Sequence, residues 1–130
     1  MEQIVWPHVR NLIKGKIETL QQNLSTNVDN AVVILEAAVL LDAGWEDLCD
    51  AIWVIQTSRQ VAMDRLLQHR GMNEDDAASR IEAQQSRRGI GNIDKEYKSG
   101  CIQAIVSNNG TQEKFIKTLK ETFMDPLSWK

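Results

Sequence analysis

Cysteine, proline and aromatic residues are all scarce in this chain. Its 130 residues hold two cysteines, two prolines, two phenylalanines, one tyrosine and four tryptophans. Cys49 and Cys101 are too few for a disulfide framework and lack metal-ligand spacing, which points to a reducing compartment. His8 and His69 join no His/Cys cluster, so no metal centre is expected. No apolar run approaches the roughly 20 residues of a membrane span. The start carries Glu2 and lacks a basic-then-apolar leader pattern. A net charge of −3 argues against a general nucleic-acid binder, which has a basic balance. The expectation is a cytoplasmic protein that neither spans a membrane nor binds nucleic acid. A further absence concerns chemistry. The phosphate-cradling pattern G-x-x-x-x-G-K-[ST] does not occur, and Gly89-Ile90-Gly91 has neither its spacing nor its lysine.

The length suits one modest domain, with ordinary shares of hydrophobic (42%) and charged (25%) residues. Pro7 fits a first helical turn, and Val9, Leu12, Ile13, Ile17, Leu20 and Leu24 recur near helical period, predicting a helix from Pro7 to Leu24. Ser25 to Asn30 reads as a polar turn. Val32 to Leu41, VVILEAAVLL, is apolar on both faces and β-branched at its start, the pattern of a strand buried on both sides. Glu46 to Asp50 suits a single helical turn. AIWVIQ, Ala51 to Gln56, predicts a second buried strand. Thr57 or Ser58 caps a helix that runs to Arg70 and turns at Gly71. Asn73 caps another, with Glu74, Asp75 and Asp76 favouring its dipole, which runs to Arg87 or Arg88 before Gly89-Ile90-Gly91-Asn92 breaks it. A short helix or turn over Asp94 to Ser99, a third strand from Cys101 to Ser107 and a Thr111-capped helix to Phe123 complete the pattern. Strands alternating with helices predict an α/β fold with a parallel sheet. Three strands are few for such a sheet, which suggests part of a larger one.

Two features carry chemistry. Arg80, Gln84 and Arg87 fall at i, i+4 and i+7, so a helix over this span places them on one face, and Arg65 lies on the preceding helix of the hairpin. Guanidinium forks suit phosphate oxygens because they donate in a plane and stay charged. The plainer alternative is a solvated face with ion pairs to Asp76 and Glu82. Asn108-Asn109-Gly110 after a strand is a turn signal. It is also a loop at the carboxyl end of a strand, where α/β sheets bind ligands.

The order of these features resembles the dephospho-coenzyme A kinase family. Ala37 to Trp45 reads A-A-V-L-L-D-A-G-W. Arg65 to Gln84 reads R-x-x-x-x-R-G-M-N-E-x-x-A-x-x-R-I-x-A-Q, and the third strand runs A-I-V-S-N-N-G. Ile4-Val5-Trp6-Pro7 is similar to the family's I-x-W-P helix start. The chain is most similar there to the kinase domain of animal bifunctional coenzyme A synthase. The resemblance implies a P-loop kinase fold, three-layered α/β/α with a parallel sheet and a helical lid over about 58–90. It implies transfer of the γ-phosphoryl of ATP, with Mg2+, to the 3′-hydroxyl of dephospho-coenzyme A. Arg80 and Arg87 would be catalytic lid arginines. Asn109, Gly110, Arg65 and Gln84 would bind the nucleotide, and Leu40 and Asp42, with Glu36, Leu41 and Trp45 nearby, the acceptor side. The chain departs from the family at His69, where a second arginine is usual, and at Arg70, where an acid is usual. Without the glycine loop, residues 1–130 are expected to be the C-terminal part of a kinase domain, inactive alone and completed by an N-terminal part. A mitochondrial association is implied by the animal resemblance only. The alternative is a non-catalytic nucleotide- or partner-binding module derived from the same fold.

Overall fold

The computed structural model describes residues 2–24 and 31–129; the predicted turn Ser25 to Asn30 lies outside them. The chain divides into two compact units, Met1–Cys49 and Asp50–Lys130.

In the first unit, helix α1 spans Glu2–Leu24. It starts five residues before the predicted Pro7, which sits inside the helix and forfeits the hydrogen bond its missing N–H would make. Trp6, Val9, Ile13, Ile17, Leu20 and Leu24 are its half-buried apolar residues, at spacings of three and four. Leu12, counted in the apolar pattern, is off this stripe and 74% exposed.

The predicted strand Val32 to Leu41 does not form. Residues 31–37 have no regular structure, and Val32, Val33 and Ile34 are 55%, 40% and 83% exposed. A strand must give its N–H and C=O groups to a neighbour, and among the described residues none pairs with this run. The second half bonds locally instead. Ala43 N–H reaches Val39 C=O at 2.8 Å, Trp45 N–H reaches Leu40 C=O at 3.0 Å, and Gly44 N–H reaches Leu41 C=O at 3.3 Å. The last two are the 6→1 and 5→2 bonds of a Schellman turn, whose left-handed position falls on Gly44 (φ 68°). The turn buries Leu41 and Trp45. One 3-10 turn, Glu46–Leu48, follows where it was expected, and Asp47 pairs with Arg10 of α1.

The second unit holds strands β1 (Trp53–Gln56) and β2 (Ala104–Ser107), which pair in parallel with Trp53 opposite Ala104 and Gln56 opposite Ser107. The Gln103 side chain pins the start of the pair. Its Oε1 accepts from Ile52 N–H at 2.7 Å while its Nε2 donates to Gly100 C=O at 2.7 Å. Between the strands run α2 (Arg59–Arg70), α3 (Glu74–Gln85), α4 (Arg88–Gly91) and α5 (Ile93–Lys98). Ser58 Oγ caps α2 through Val61 N–H, and Asn73 Oδ1 caps α3 through Asp76 N–H, as those residue types predict. Gly71, at φ 61°, supplies the left-handed residue that ends α2.

The predicted helix to Arg87 or Arg88 stops at Gln85. Arg87 is extended (φ −85°, ψ 153°), and the glycine-bearing stretch read as a breaker forms α4. Gly91 lies so close to the end of α3 that an added Cβ would collide with the Gln85 carbonyl. Ile52, Ala77, Ile81, Ile93, Ile102, Ala104 and Val106 are buried in this unit.

Helix α6 (Gln112–Met124), capped by Thr111, and a 3-10 turn over Pro126–Trp129 close the chain. The buried Ser128 hydroxyl donates toward the Thr122 and Asp125 carbonyls at 2.6 and 2.7 Å. Trp53 Nε1–H donates to Ser128 C=O at 2.7 Å. The rings of Trp53, Phe123 and Trp129 pack together, with centroids 4.8 to 6.2 Å apart. Trp53 and Trp129 are therefore packing residues, as their size suggests.

Candidate functional site

The carboxyl ends of β1 and β2 open into two loops that lead into the two long capped helices α2 and α6. Parallel pairing requires both ends to lie on one edge, which is where α/β proteins gather ligand-binding loops. Asn108 and Asn109 join the loops. Asn108 N–H extends the ladder to Gln56 C=O at 2.8 Å. Asn109 Oδ1 accepts from Ser58 N–H at 2.7 Å, and its Nδ2 donates to Ser107 Oγ at 3.0 Å. The Asn-Asn-Gly turn thus holds the β1–α2 connection in place. Asn108 Oδ1 also accepts from Arg65 Nη2 at 3.4 Å, in a partly buried contact. That bond brings the hairpin arginine to the loop, two features 43 residues apart in sequence. Asn108, which the sequence singled out only as part of the turn, makes this link. Gly110 has no left-handed φ, and a Cβ there would meet only the flexible Lys114 side chain, at 2.9 Å.

On α3, Arg80 and Gln84 are exposed. The carboxylates that would have engaged them are taken elsewhere. Asp76 accepts from Asn73 Nδ2 at 2.7 Å, and Glu82 pairs with Arg59 at 3.3 Å. Among the described residues, the Arg80 and Gln84 side chains have no hydrogen-bond or ion-pair partner. Arg87 is also exposed, but it follows the end of α3 and does not share a helix face with Arg80. The i, i+4, i+7 face therefore reduces to Arg80 and Gln84.

Arg88 holds a structural position. Its Nε and Nη2 donate to the two Glu96 carboxylate oxygens at 2.7 and 3.2 Å, and Nη2 lies 3.9 Å from Cys101 Sγ. The Glu96 side chain is only 13% exposed. The Arg88 hydrogen bonds hold its carboxyl below the ordinary glutamate range against the opposing effect of burial, with the Arg88 charge, the Cys101 thiol and Lys95 adding to the lowering. The pair fastens α4 to α5, and a spacing of eight residues across a helix break gives no sequence signal for it.

In the first unit, Leu40 and Asp42 are half-buried within the Schellman turn and Glu36 is exposed. Leu41 and Trp45 are core residues. Among the described residues no three His, Cys, Asp or Glu side chains cluster as a metal site, and no helix is long and apolar enough to cross a membrane.

Two parallel strands, with loops at their carboxyl ends and an arginine-bearing helical hairpin between them, define an α/β protein. The comparisons with known proteins narrow this. The family model described as dephospho-CoA kinase matches residues 1–113. The chain is 26% identical over 121 residues to the dephospho-CoA kinase of Geobacter sulfurreducens, covering 93% of this chain and 55% of that protein. It is 30% identical over 121 residues to the Staphylococcus aureus dephospho-CoA kinase, covering 92% and 51%. The Rhodopirellula baltica enzyme is 25% identical over 130 residues, covering 100% and 54%. No solved structure matches. The chain belongs to the dephospho-CoA kinase family, and it spans about half the length of these curated relatives.

Proposed function

We propose that these 130 residues carry the lid and nucleotide-loop part of a P-loop-type dephospho-CoA kinase domain, with the lid over about 58–90. In the completed site the bond between the γ-phosphorus of ATP and its bridging oxygen breaks. The ribose 3′-oxygen of dephospho-CoA bonds to that phosphorus, and ADP leaves. The 3′-hydroxyl proton passes to solvent or to a general base as that bond forms. Arg80 and Arg87 stabilise charge on the transferring group. Arg65 and Gln84 orient the phosphates, Asn109 and Gly110 border the adenine, and Leu40 and Asp42 face the acceptor. Among the described residues no three His, Cys, Asp or Glu side chains cluster as a metal site; Mg2+ would come with ATP and neutralise charge on its phosphates.

One observation carries this reading. Arg65 reaches Asn108 across the hairpin, while Arg80 on the neighbouring helix keeps its donors uncommitted among the described residues. Phosphoryl transfer works by positioning and electrostatic stabilisation, so the chain alone, given ATP, Mg2+ and dephospho-CoA, is expected to yield no coenzyme A. Grafted in place of the matched region of the Geobacter sulfurreducens relative, it is expected to support coenzyme A formation. Arg80→Ala in that graft should lower kcat about 100-fold. An unchanged kcat removes Arg80 from the mechanism. A graft that folds and binds ATP without turnover favours the non-catalytic binding module.

A further inference from the structure

Asn109 is the one asparagine of the chain that precedes a glycine. Asparagine is chemically labile, and this dipeptide can modify itself without an enzyme. The Gly110 main-chain nitrogen, once deprotonated, attacks Cγ of Asn109, and a following residue without Cβ leaves that approach open. Three features of the structure bear on the reaction. Both residues are exposed to water. Among the described residues no group accepts from Gly110 N–H, so its proton is open to base. The Asn109 amide, by contrast, is held at both ends. Its Oδ1 accepts from Ser58 N–H at 2.7 Å and its Nδ2 donates to Ser107 Oγ at 3.0 Å. Both partners precede Asn109 in the chain, whereas the ring must close on the residue that follows it. Other described asparagines lack this combination. Asn108 is half-buried against Arg65, Asn73 caps α3, and Asn92 is followed by the buried, β-branched Ile93.

We propose that Asn109–Gly110 is a deamidation site latched by Ser58 and Ser107, and that its isoaspartyl product unties the β1–α2 connection. The bond from Gly110 N to Asn109 Cγ forms as the Cγ–Nδ2 bond breaks. The Gly110 proton goes to solvent, and the amide nitrogen leaves as ammonia after taking a proton from solvent. Water then opens the succinimide ring at either carbonyl, giving aspartate or isoaspartate. Aspartate keeps the acceptor for Ser58 N–H, and its charge suits a position beside the starts of α2 and α6. Isoaspartate carries an extra carbon in the main chain and a shorter side branch, so its carboxylate no longer reaches Ser58. The connection into α2, which bears Arg65, then loses its tie to β2.

The test incubates the full 130-residue chain in mildly alkaline buffer and follows each asparagine by mass spectrometry of proteolytic peptides. Asn109 should deamidate ahead of Asn73, Asn92 and Asn108. Unfolding in urea removes both latching bonds and should raise the Asn109 rate about tenfold. Ser107→Ala, at an exposed position, removes one bond and should raise the folded-state rate about threefold. Gly110→Ala should lower it about fivefold, since the Lys114 side chain its Cβ meets is flexible. If either variant disturbs the fold, the urea comparison on the unaltered chain still decides. The isoaspartyl form, separated by its charge and identified by fragmentation, should exchange the Ser58 amide about tenfold faster than the unmodified chain. The aspartyl form should keep that amide protected. A folded-state rate equal to or above the urea rate overturns the latch, as does earlier reaction at Asn73, Asn92 or Asn108. Equal protection of the Ser58 amide in all forms overturns the untying.

Discussion

The Arg88–Glu96 pair shows how a single contact decides between structure and function for a basic residue. The resemblance implies Arg87 as a lid arginine, and its neighbour Arg88 is spent on holding α4 to α5. The Glu96 carboxyl is lowered in the folded chain. Its contribution is therefore complete above the unfolded glutamate value near about 4.3 and is lost as pH falls through the lower folded value. Arg88→Gln should cost about 1 kcal/mol at pH 7, the modest figure of a pair with one partner 40% exposed. The cost should shrink below about pH 4. Urea midpoints of wild type and variant at pH 7 and pH 3.5 measure this, and a gap that does not change with pH removes Glu96 as the cause. Capping residues were the most legible part of the sequence at this scale. Ser58, Asn73 and Thr111 act through bonds to amides three residues on, and such short spacings show in the chain itself. Asn108 on Arg65 and Gln103 on Ile52 span 43 and 51 residues, distances that no local pattern encodes.

At the scale of elements, the hairpin α2–α3 was readable because caps, a left-handed glycine and acidic first-turn residues all agreed. The run VVILEAAVLL misled because its composition describes the environment of a strand, and a strand forms only with a neighbour to bond. Gly44 and Trp45, just beyond the run, close a Schellman turn on its last residues, and local bonds prevailed. The Asn-Asn-Gly element was read as a turn or a ligand loop, and the structure gives it the further task of tying α2 to the sheet. Asn109→Ala removes the acceptor for Ser58 N–H and should cost about 1 kcal/mol. Faster exchange at the Ser58 amide, with α6 amides unchanged, would be the local signature. Equal loss of protection in both helices would mean that the bond is not specific to the α2 connection.

For the whole molecule, burial is concentrated in small apolar residues of the second unit. Ile102 and Val106, at 1% and 0% exposure, are the largest fully buried side chains. Ile102→Ala should lower stability by about 3 kcal/mol, a large share of the 5–15 kcal/mol that domains hold. The denaturant midpoint should fall with little change in slope, and a midpoint shift under one quarter of that size would place Ile102 outside the cooperative core. The α/β class was legible because strand and helix periods alternate, whereas the number of strands depended on edges that a sequence does not display. The closing turn of the chain has an optical consequence. The Trp53 and Trp129 indoles lie 4.8 Å apart between centroids and are tilted by 58°, close enough for their transition dipoles to couple. Such coupling would give a paired positive and negative band in circular dichroism that is lost when the Pro126–Trp129 turn leaves Trp53 of β1. The chain thus carries its own label for the moment its end lets go of the sheet.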